Sequence, residues 1–386
     1  MDSTEMDKKK LNVVIVGPAW PLRGGLSTYN ERLCKGFNDK GYEASILSFS
    51  LQYPSMLFPG KTQMSSDPAP EKLQIDTAIN SVNPLNWIKT GKKYQKLAPD
   101  IMVFRYWMPF MAPCLGTIAR IVKKNKKTKL VAIADNIYPH EKHFYDQACT
   151  NYFVHSMDGF ITMSQSVLED LKKLVPAKSS TYVPHPMYDN FGASIPKDEA
   201  KQQLGLDKDY HYLLFFGFIR QYKGLDLLLK SFAKSGLKDK KTKLIIAGEY
   251  YEDPSPYKTL IKELHLQDAV IEHNDFIPNP DVSKYFSAAD MVVQTYHSAT
   301  QSGVTQIAYH FNKPMLVTNV GGLAETVPNG EVGYVTEKDE TAISEALRDF
   351  YNNNREATFS ANAEQFKQRF SWDHIMDAIE VIGGKD

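Results

Sequence analysis

At 386 residues with 42% hydrophobic content, the chain exceeds one ordinary core and supplies apolar surface for two domains. Lys plus Arg and Asp plus Glu each number 45, so no global field selects nucleic acid as the partner. The halves are polarised all the same: up to residue 190 there are 24 basic against 17 acidic residues, and beyond it 21 against 28, which suits an N-terminal half facing an anionic surface.

The charged start, MDSTEMDKKK, leads into LNVVIV, too short for a signal-peptide core or a membrane span and the right length for a buried strand. A loop with Gly24 and Gly25 follows, and Leu26, Tyr29, Leu33 and Phe37 then predict a helix. Glycines there let amide N–H groups approach a phosphate at the positive end of that helix. The spacing is not the G-x-G-x-x-G dinucleotide fingerprint, and a tight turn without a ligand fits equally well. Further buried parallel strands are expected at ASILSF, IMVFRY, KLVAIA, GFITMS and TYVP.

The longest apolar tract, Met102–Val122, is broken by Arg105, Pro109, Pro113 and Arg120 and does not read as a transmembrane helix. Its aromatic part, Phe104–Met111, forms a candidate acceptor side with the segment IADNIYPHEKHFYD. Asp135, Asn136, His140 and His143 are the acid–base candidates there, although a loop histidine is more often structural or solvated. The basic run Arg120–Lys129 is either a wet face or, together with the Trp107 tract, a contact for anionic lipid headgroups. Cys34, Cys114 and Cys149 lack metal-ligand or disulfide spacing, so a reducing, cytoplasmic compartment is expected.

Residues 185–210 carry Pro186, Gly192 and Pro196 and read as a linker, which puts the domain boundary at 195/196. Beyond it, YLLFFGF, KLIIAG, AVIEH, MVVQT and PMLVTN repeat the alternation of strand and helix, which argues for a second open α/β sheet with right-handed crossovers. Gly217 ends the first of these strands, and Arg220 and Lys223 lie in the crossing to a helix with Leu225, Leu228, Leu229 and Phe232 on its inner face. That is the carboxyl edge where open α/β sheets bind ligands, and two cations there suit a diphosphate. A pair of solvated surface cations is the bland alternative.

Downstream, Ser302 is positioned as an N-cap, Gly303 allows close approach, and Val304, Ile307, Ala308 and Phe311 mark the inner face of a helix whose first amides form a second anion site. Gln306 lies off that apolar stripe and fits either a ribose hydroxyl or plain solvent. The chain ends in an amphipathic helix over Trp372–Ile382. No paired-carboxylate, zinc-ligand or serine-triad arrangement stands out.

RGGLSTYNERL, GFITMSQSVLEDL, VPHPMYDNF, GFIRQYKGLDLLL and SGVTQIAYHFNKPMLVTNVGGLAETV together resemble family 4 glycosyltransferases, retaining enzymes of the GT-B fold. The resemblance spans nearly the whole chain. It implies two facing Rossmann-like domains with parallel sheets, an N-terminal acceptor domain (1–195) and a C-terminal nucleotide-sugar domain (196–386), with residues 370–386 crossing back to the first. Carried over by position, Arg220 and Lys223 match the basic pair on the donor diphosphate, and Gly25, beside Gly24, matches the glycine that approaches the phosphate. Gly217 lies at the loop entry, Ser302, Gly303, Val304 and Thr305 match the helix start facing the diphosphate and sugar, and Glu325 matches an acidic position lining the cleft.

Three departures from the family pattern stand out. Its two glutamates eight positions apart are replaced by Ser298 and Gln306, its His-Asp pair by Ala134 and Asp135, and its arginine falls three residues after Gly217. With Asp135 retained as the third catalytic candidate, the resemblance implies metal-independent sugar transfer from a nucleotide-diphosphate donor to a saccharide or lipid-linked acceptor. It needs no cofactor or nucleic acid and fits cell-envelope or exopolysaccharide assembly, in the cytoplasm and peripheral to the inner membrane face. The missing glutamates leave two alternatives: a non-catalytic nucleotide-sugar-binding protein, or a GT-B-like sugar-nucleotide epimerase.

Overall fold

The computed structural model describes residues 11–384 apart from 55–57, 59–61, 66 and 139–143, so His140 and His143 lie outside the described residues. The chain divides into two compact units.

The first holds β1 (Asn12–Val16), β2 (Glu43–Leu51), β3 (Gln74–Asn80), β4 (Ile101–Tyr106), β5 (Lys129–Ala134), β6 (Gly159–Thr162) and β7 (Ser179–Tyr182). They form a parallel sheet in the order β3-β2-β1-β4-β5-β6-β7. Its helices are α1 (Gly25–Asp39), α2 (Pro84–Leu97), α3 (Ala112–Lys123), α4 (Asp146–Val154) and α5 (Gln165–Leu174). Every residue of β4 is buried, as a strand covered on both faces requires. On α1, Tyr29, Leu33 and Phe37 are fully buried, each contributing about 1.5–3 kcal/mol.

In the second unit β8 (His211–Phe216), β9 (Thr242–Ala247), β10 (Val270–His273), β11 (Met291–Gln294), β12 (Met315–Thr318) and β13 (Gly333–Thr336) lie parallel in the order β10-β9-β8-β11-β12-β13. They are flanked by α6 (Lys197–Gln203), α7 (Leu225–Ser235), α8 (Ser255–Glu263), α9 (Asn279–Ala288), α10 (Gly303–His310), α11 (Gly321–Thr326), α12 (Glu340–Asn352) and α13 (Glu356–Phe366). Leu225, Leu228, Leu229 and Phe232 of α7 are fully buried. Strand order reverses between β1 and β4 in one sheet and between β8 and β11 in the other. Such switch points open a crevice beyond the carboxyl ends of the strands, where doubly wound sheets take their ligands.

Three features depart from or add to the sequence reading, and a fourth agrees with it. The junction falls at Val183–Pro184, ahead of 195/196. Residues 184–195 are not a free linker: His185, Tyr188 and Phe191 are buried, and the Ile195 amide donates to Ser287 Oγ at 3.2 Å. The edge strands β3 and β13 were not anticipated, because QIDTAIN and GYVT are only partly buried. Finally, α14 (Trp372–Ile382) belongs to the first unit. There the Trp372 ring lies 4.9 Å from that of Tyr29, and Lys40 pairs with Asp377 at 2.8 Å and Asp373 at 3.3 Å.

The aromatic tract also differs from expectation. Phe104, Tyr106 and Met111 are buried, Trp107, Met108 and Phe110 pack against the same core, and Trp107 Nε1 donates to Tyr53 Oη at 2.8 Å. Its rings pack on the interior of the unit, with Trp107, Met108 and Phe110 half-buried.

Candidate functional site

In the second unit the switch point is built by the turns after β8 and β11. Gly217 follows β8 with φ +93°, a left-handed conformation that favours glycine, and its amide donates to the Ala247 carbonyl at 2.9 Å. A Cβ at Gly217 would stand 3.1 Å from Lys223 Nζ and 3.7 Å from Val304 Cγ2, so the ammonium folds back over the glycine toward the first turn of α10. Arg220 opens the short 3-10 turn Gln221–Lys223, and Gly224, at φ +65°, passes the chain into α7. The Arg220 guanidinium lies 5.3 Å from the Tyr251 ring centroid, and Lys223 Nζ lies 5.7 Å from that of Tyr296.

The electrostatics of this turn set it apart. Lys223 is only 9% exposed. Among the described residues its ammonium has no hydrogen-bond acceptor or carboxylate partner, and Arg220 has no ion pair. Burial, with the neighbouring Arg220 charge, brings the Lys223 ammonium down to about 8. A buried cation without a counter-ion is costly, and an incoming anion removes that cost.

The turn is clamped to the segment after β11. The His297 amide donates to the Tyr222 carbonyl at 2.7 Å, Thr295 Oγ1 donates to the Gly224 carbonyl at 2.8 Å, and His297 Nε2 lies 3.1 Å from Asp226 Oδ1. The sequence reading missed this clamp and the two aromatic neighbours. The available signal was Tyr296–His297 directly after a buried strand at the ligand-bearing edge of the sheet.

Ser302 occupies the N-cap position of α10, but its hydroxyl does not cap the helix; it donates to Gln294 Oε1 at 2.6 Å. Gln294 also bonds Thr305 Oγ1, so both hydroxyls are drawn toward β11 and the first amides of α10 are left without a side-chain cap. Beside Val304, those amides extend the positive surface begun by Lys223.

The other candidate residues of this unit lie on α10, on the loop before it and on α11. The missing Cβ of Gly303 makes room for Tyr188, whose ring carbon would stand 3.0 Å away. Gln306 is not on an outer face: it is 1% exposed, and its Oε1 has no hydrogen-bond partner among the described residues. Ser298 is half-buried on the β11–α10 loop. Glu325 is exposed on α11, and the start of that helix docks on the same loop, where the Gly322 amide donates to the Thr300 carbonyl at 3.1 Å.

In the first unit Gly24 takes φ +108° and opens α1, with the Thr28 amide donating to its carbonyl at 3.1 Å. Gly25 is the first residue of that helix, which has no side-chain cap. The preceding loop is held where the Trp20 amide donates to Glu31 Oε1 at 2.7 Å. Asp135 does not stand as an available base. Arg105 Nε and Nη2 donate to its two oxygens at 2.7 and 2.6 Å, both side chains are buried, and the guanidinium lies 3.9 Å from the Tyr29 ring centroid. Asn136, beside it, is half-buried.

Residues 196–366, which carry the whole Lys223 turn and α10, match the family described as "Glycosyl transferases group 1". This segment belongs to the group 1 glycosyltransferases. The glycosyltransferase segment has curated relatives in a D-inositol 3-phosphate glycosyltransferase of Thermomonospora curvata, 28% identical over 203 residues (49% of this chain, 46% of the relative), and in one from Catenulispora acidiphila, 28% identical over 196 residues (48% and 47%). The chain spans about half the length of the curated relatives it matches.

Solved structures cover more of the chain. Sucrose-phosphate synthase from Thermosynechococcus elongatus has a TM-score of 0.74 at 17% identity, covering 97% of this chain and 98% of that one. Anabaena Alr3699/HepE in complex with UDP-glucose has a TM-score of 0.73 at 17% identity, covering 96% and 98%. The fold is that of the GT-B glycosyltransferases, with two Rossmann-like units of parallel sheet.

Proposed function

We propose that this protein is a retaining glycosyltransferase that moves a sugar from a nucleotide-diphosphate donor to a saccharide or lipid-linked acceptor. The observation that carries the reading is the uncompensated Lys223 ammonium, seated against Gly217 at the switch point of the second sheet. As the bond between the anomeric carbon and the diphosphate breaks, negative charge grows on the departing oxygen. Lys223, Arg220 and the α10 amides face that charge without reorganising, which is how preorganised donors lower a barrier. The acceptor oxygen then bonds the anomeric carbon on the face the diphosphate leaves, and its proton passes to the departing phosphate.

The family match and the UDP-glucose bound to Alr3699/HepE support a nucleotide sugar as donor. Buried Gln306, with an unpartnered Oε1, supports a hydrogen bond to a donor hydroxyl made by an amide rather than a carboxylate. Cytoplasmic envelope or exopolysaccharide assembly is the setting this reading favours. Among the described residues no helix is long and apolar enough to cross a membrane.

Incubation with a panel of nucleotide sugars and of saccharide and lipid-linked acceptors tests the proposal, after a thermal-shift screen of nucleoside diphosphates has picked the base. A glycosylated acceptor with inverted stereochemistry would refute retention. Donor binding without transfer to any acceptor would replace the reading by that of a non-catalytic binder, and isomerised donor in the absence of acceptor by that of an epimerase.

A further inference from the structure

The second unit carries a concavity at the edge of its sheet away from Lys223. A cavity of about 600 Å³ lies between the 3-10 turn Leu237–Lys240 and the turn that joins α12 to α13, against His211 and Thr242, the first residues of β8 and β9. That volume is within the range of ligand pockets, roughly 300–1,000 Å³. β8 begins at this cavity and ends beside Gly217, so about 20 Å of strand separates it from the Lys223 turn.

Its floor is apolar and its rings are fixed from behind. Leu237 and Phe350 are buried and Tyr351 is half-buried. Asp290, just ahead of β11, is fully buried. Its Oδ2 accepts from the Tyr212 amide at 2.9 Å and from Tyr351 Oη at 3.2 Å, and lies 3.1 Å from His211 Nδ1. Lys197 bridges the other oxygen of Asp290 to Glu356 Oε1, 2.6 Å away. Burial alone would raise the Asp290 carboxyl, but the His211 and Lys197 contacts outweigh it and bring it down to about 2. One carboxylate thus holds both rings of the wall, His211 and Tyr351, with their centroids 5.1 Å apart. Groups fixed in this way need little ordering when a ligand arrives.

The rim has hydrogen-bonding capacity that the protein does not use. The side chains of Asn352, Asn354 and Ser360 line the cavity and have no hydrogen-bond partner among the described residues. His211, bonded through Nδ1, keeps Nε2 for a ligand. Amides and hydroxyls both donate and accept, so the set suits a ligand that does both. Lys240 also lines the cavity, but the Glu356 carboxylate borders the same space and disfavours an anion.

We propose that this cavity binds a neutral saccharide, with the C–H face of one sugar ring on the Tyr351 floor and its hydroxyls bonded to Asn352, Asn354, Ser360, His211 Nε2 and Glu356. A sugar joins an apolar face to hydroxyls that donate and accept, the combination that an apolar floor and an amide-rich rim match. The inference does not rest on the sugar-transfer reading, and its test needs no turnover.

Saturation-transfer NMR of the full chain is recorded with glucose, galactose, mannose, N-acetylglucosamine and maltotriose, each with and without a nucleoside diphosphate. At least one sugar should bind, and its signal should persist in the presence of the nucleoside diphosphate and in Lys223→Ala. Asn354 takes φ +50°, so Asn354→Gly keeps the turn while deleting the amide, and should weaken binding about fivefold, the scale of one hydrogen bond. Ser360→Trp fills the cavity and should abolish binding. Both variants should melt as the parent does, because neither side chain belongs to the core. Tighter binding of maltotriose than of glucose would support a glycan chain as the source of the sugar, and equal binding a free sugar. Absence of binding by every sugar, displacement by the nucleoside diphosphate, or binding that either variant leaves unchanged overturns the proposal. So does retention of inorganic phosphate at this cavity in place of the sugars.

Discussion

Arg105 in the first unit and Lys223 in the second are both buried cations at the carboxyl end of a parallel strand, yet only one is neutralised within the protein. Arg105 forks onto Asp135. Lys223 lies against a glycine and faces an aromatic ring, with no acceptor among the described residues. A charge buried with its counter-ion holds a structure together, whereas a charge buried without one is held ready for a ligand.

The largest expected effect lies on the neutralised side. Asp135→Asn strands the buried Arg105 charge and should destabilise the protein by about 3–5 kcal/mol, read in a denaturant melt. Replacing both partners with apolar residues of similar volume should restore most of that stability. If Asp135→Asn melts like the parent, the pair is not the scaffold it is taken to be here.

On the open side, Lys223→Ala should lower transfer by about a hundred- to a thousandfold while leaving the melting temperature unchanged or raised, because only an unpaired buried charge is lost. Measured together, turnover and melting separate the two cations: one variant loses the fold, the other the chemistry.

A pH series sharpens the contrast. The folded protein holds the Lys223 proton at about 8, below the ordinary 10.5, and so binds it less tightly than the unfolded chain does. The stability cost of burying Lys223 is therefore full below about pH 8 and fades as pH rises toward about 10.5. Affinity for a nucleoside diphosphate runs the other way, falling as the ammonium loses its charge above about pH 8. Lys223→Arg, which keeps its charge, should flatten that fall in a calorimetric titration across the same range.

The smallest effect is expected at His297, which reaches the cations only through the backbone of their turn and through Asp226. His297→Ala should weaken nucleoside diphosphate binding about fivefold, the scale of one hydrogen bond. The weakening should appear in KM more than in kcat, and an Asp226→Ala protein should not be weakened further by it.

The parts of this picture that were legible from the sequence are those with a local signature. Continuous apolar runs such as IMVFRY and YLLFFGF announced buried parallel strands, and a strand ending in glycine ahead of Arg220 and Lys223 announced the ligand edge. The edge strands β3 and β13 escaped because QIDTAIN and GYVT display no continuous apolar run. Pairings across the chain escaped for a different reason. Arg105 and Asp135 are 30 residues apart and His297 and Asp226 are 71 apart, and only strand order brings each pair together. Gln306 read as an outer helix position because periodicity assumes one solvated face, whereas Val304 to Tyr309 of α10 are buried all round.

The most direct measurement compares, by calorimetry, the affinity of a nucleoside diphosphate with that of its unphosphorylated nucleoside, for the parent and for Lys223→Ala. The parent should prefer the diphosphate by about a hundredfold or more, and the variant should lose most of that preference while keeping its hold on the nucleoside. An undiminished preference in the variant would show that the phosphates bind elsewhere, and the buried ammonium would have to be explained without them.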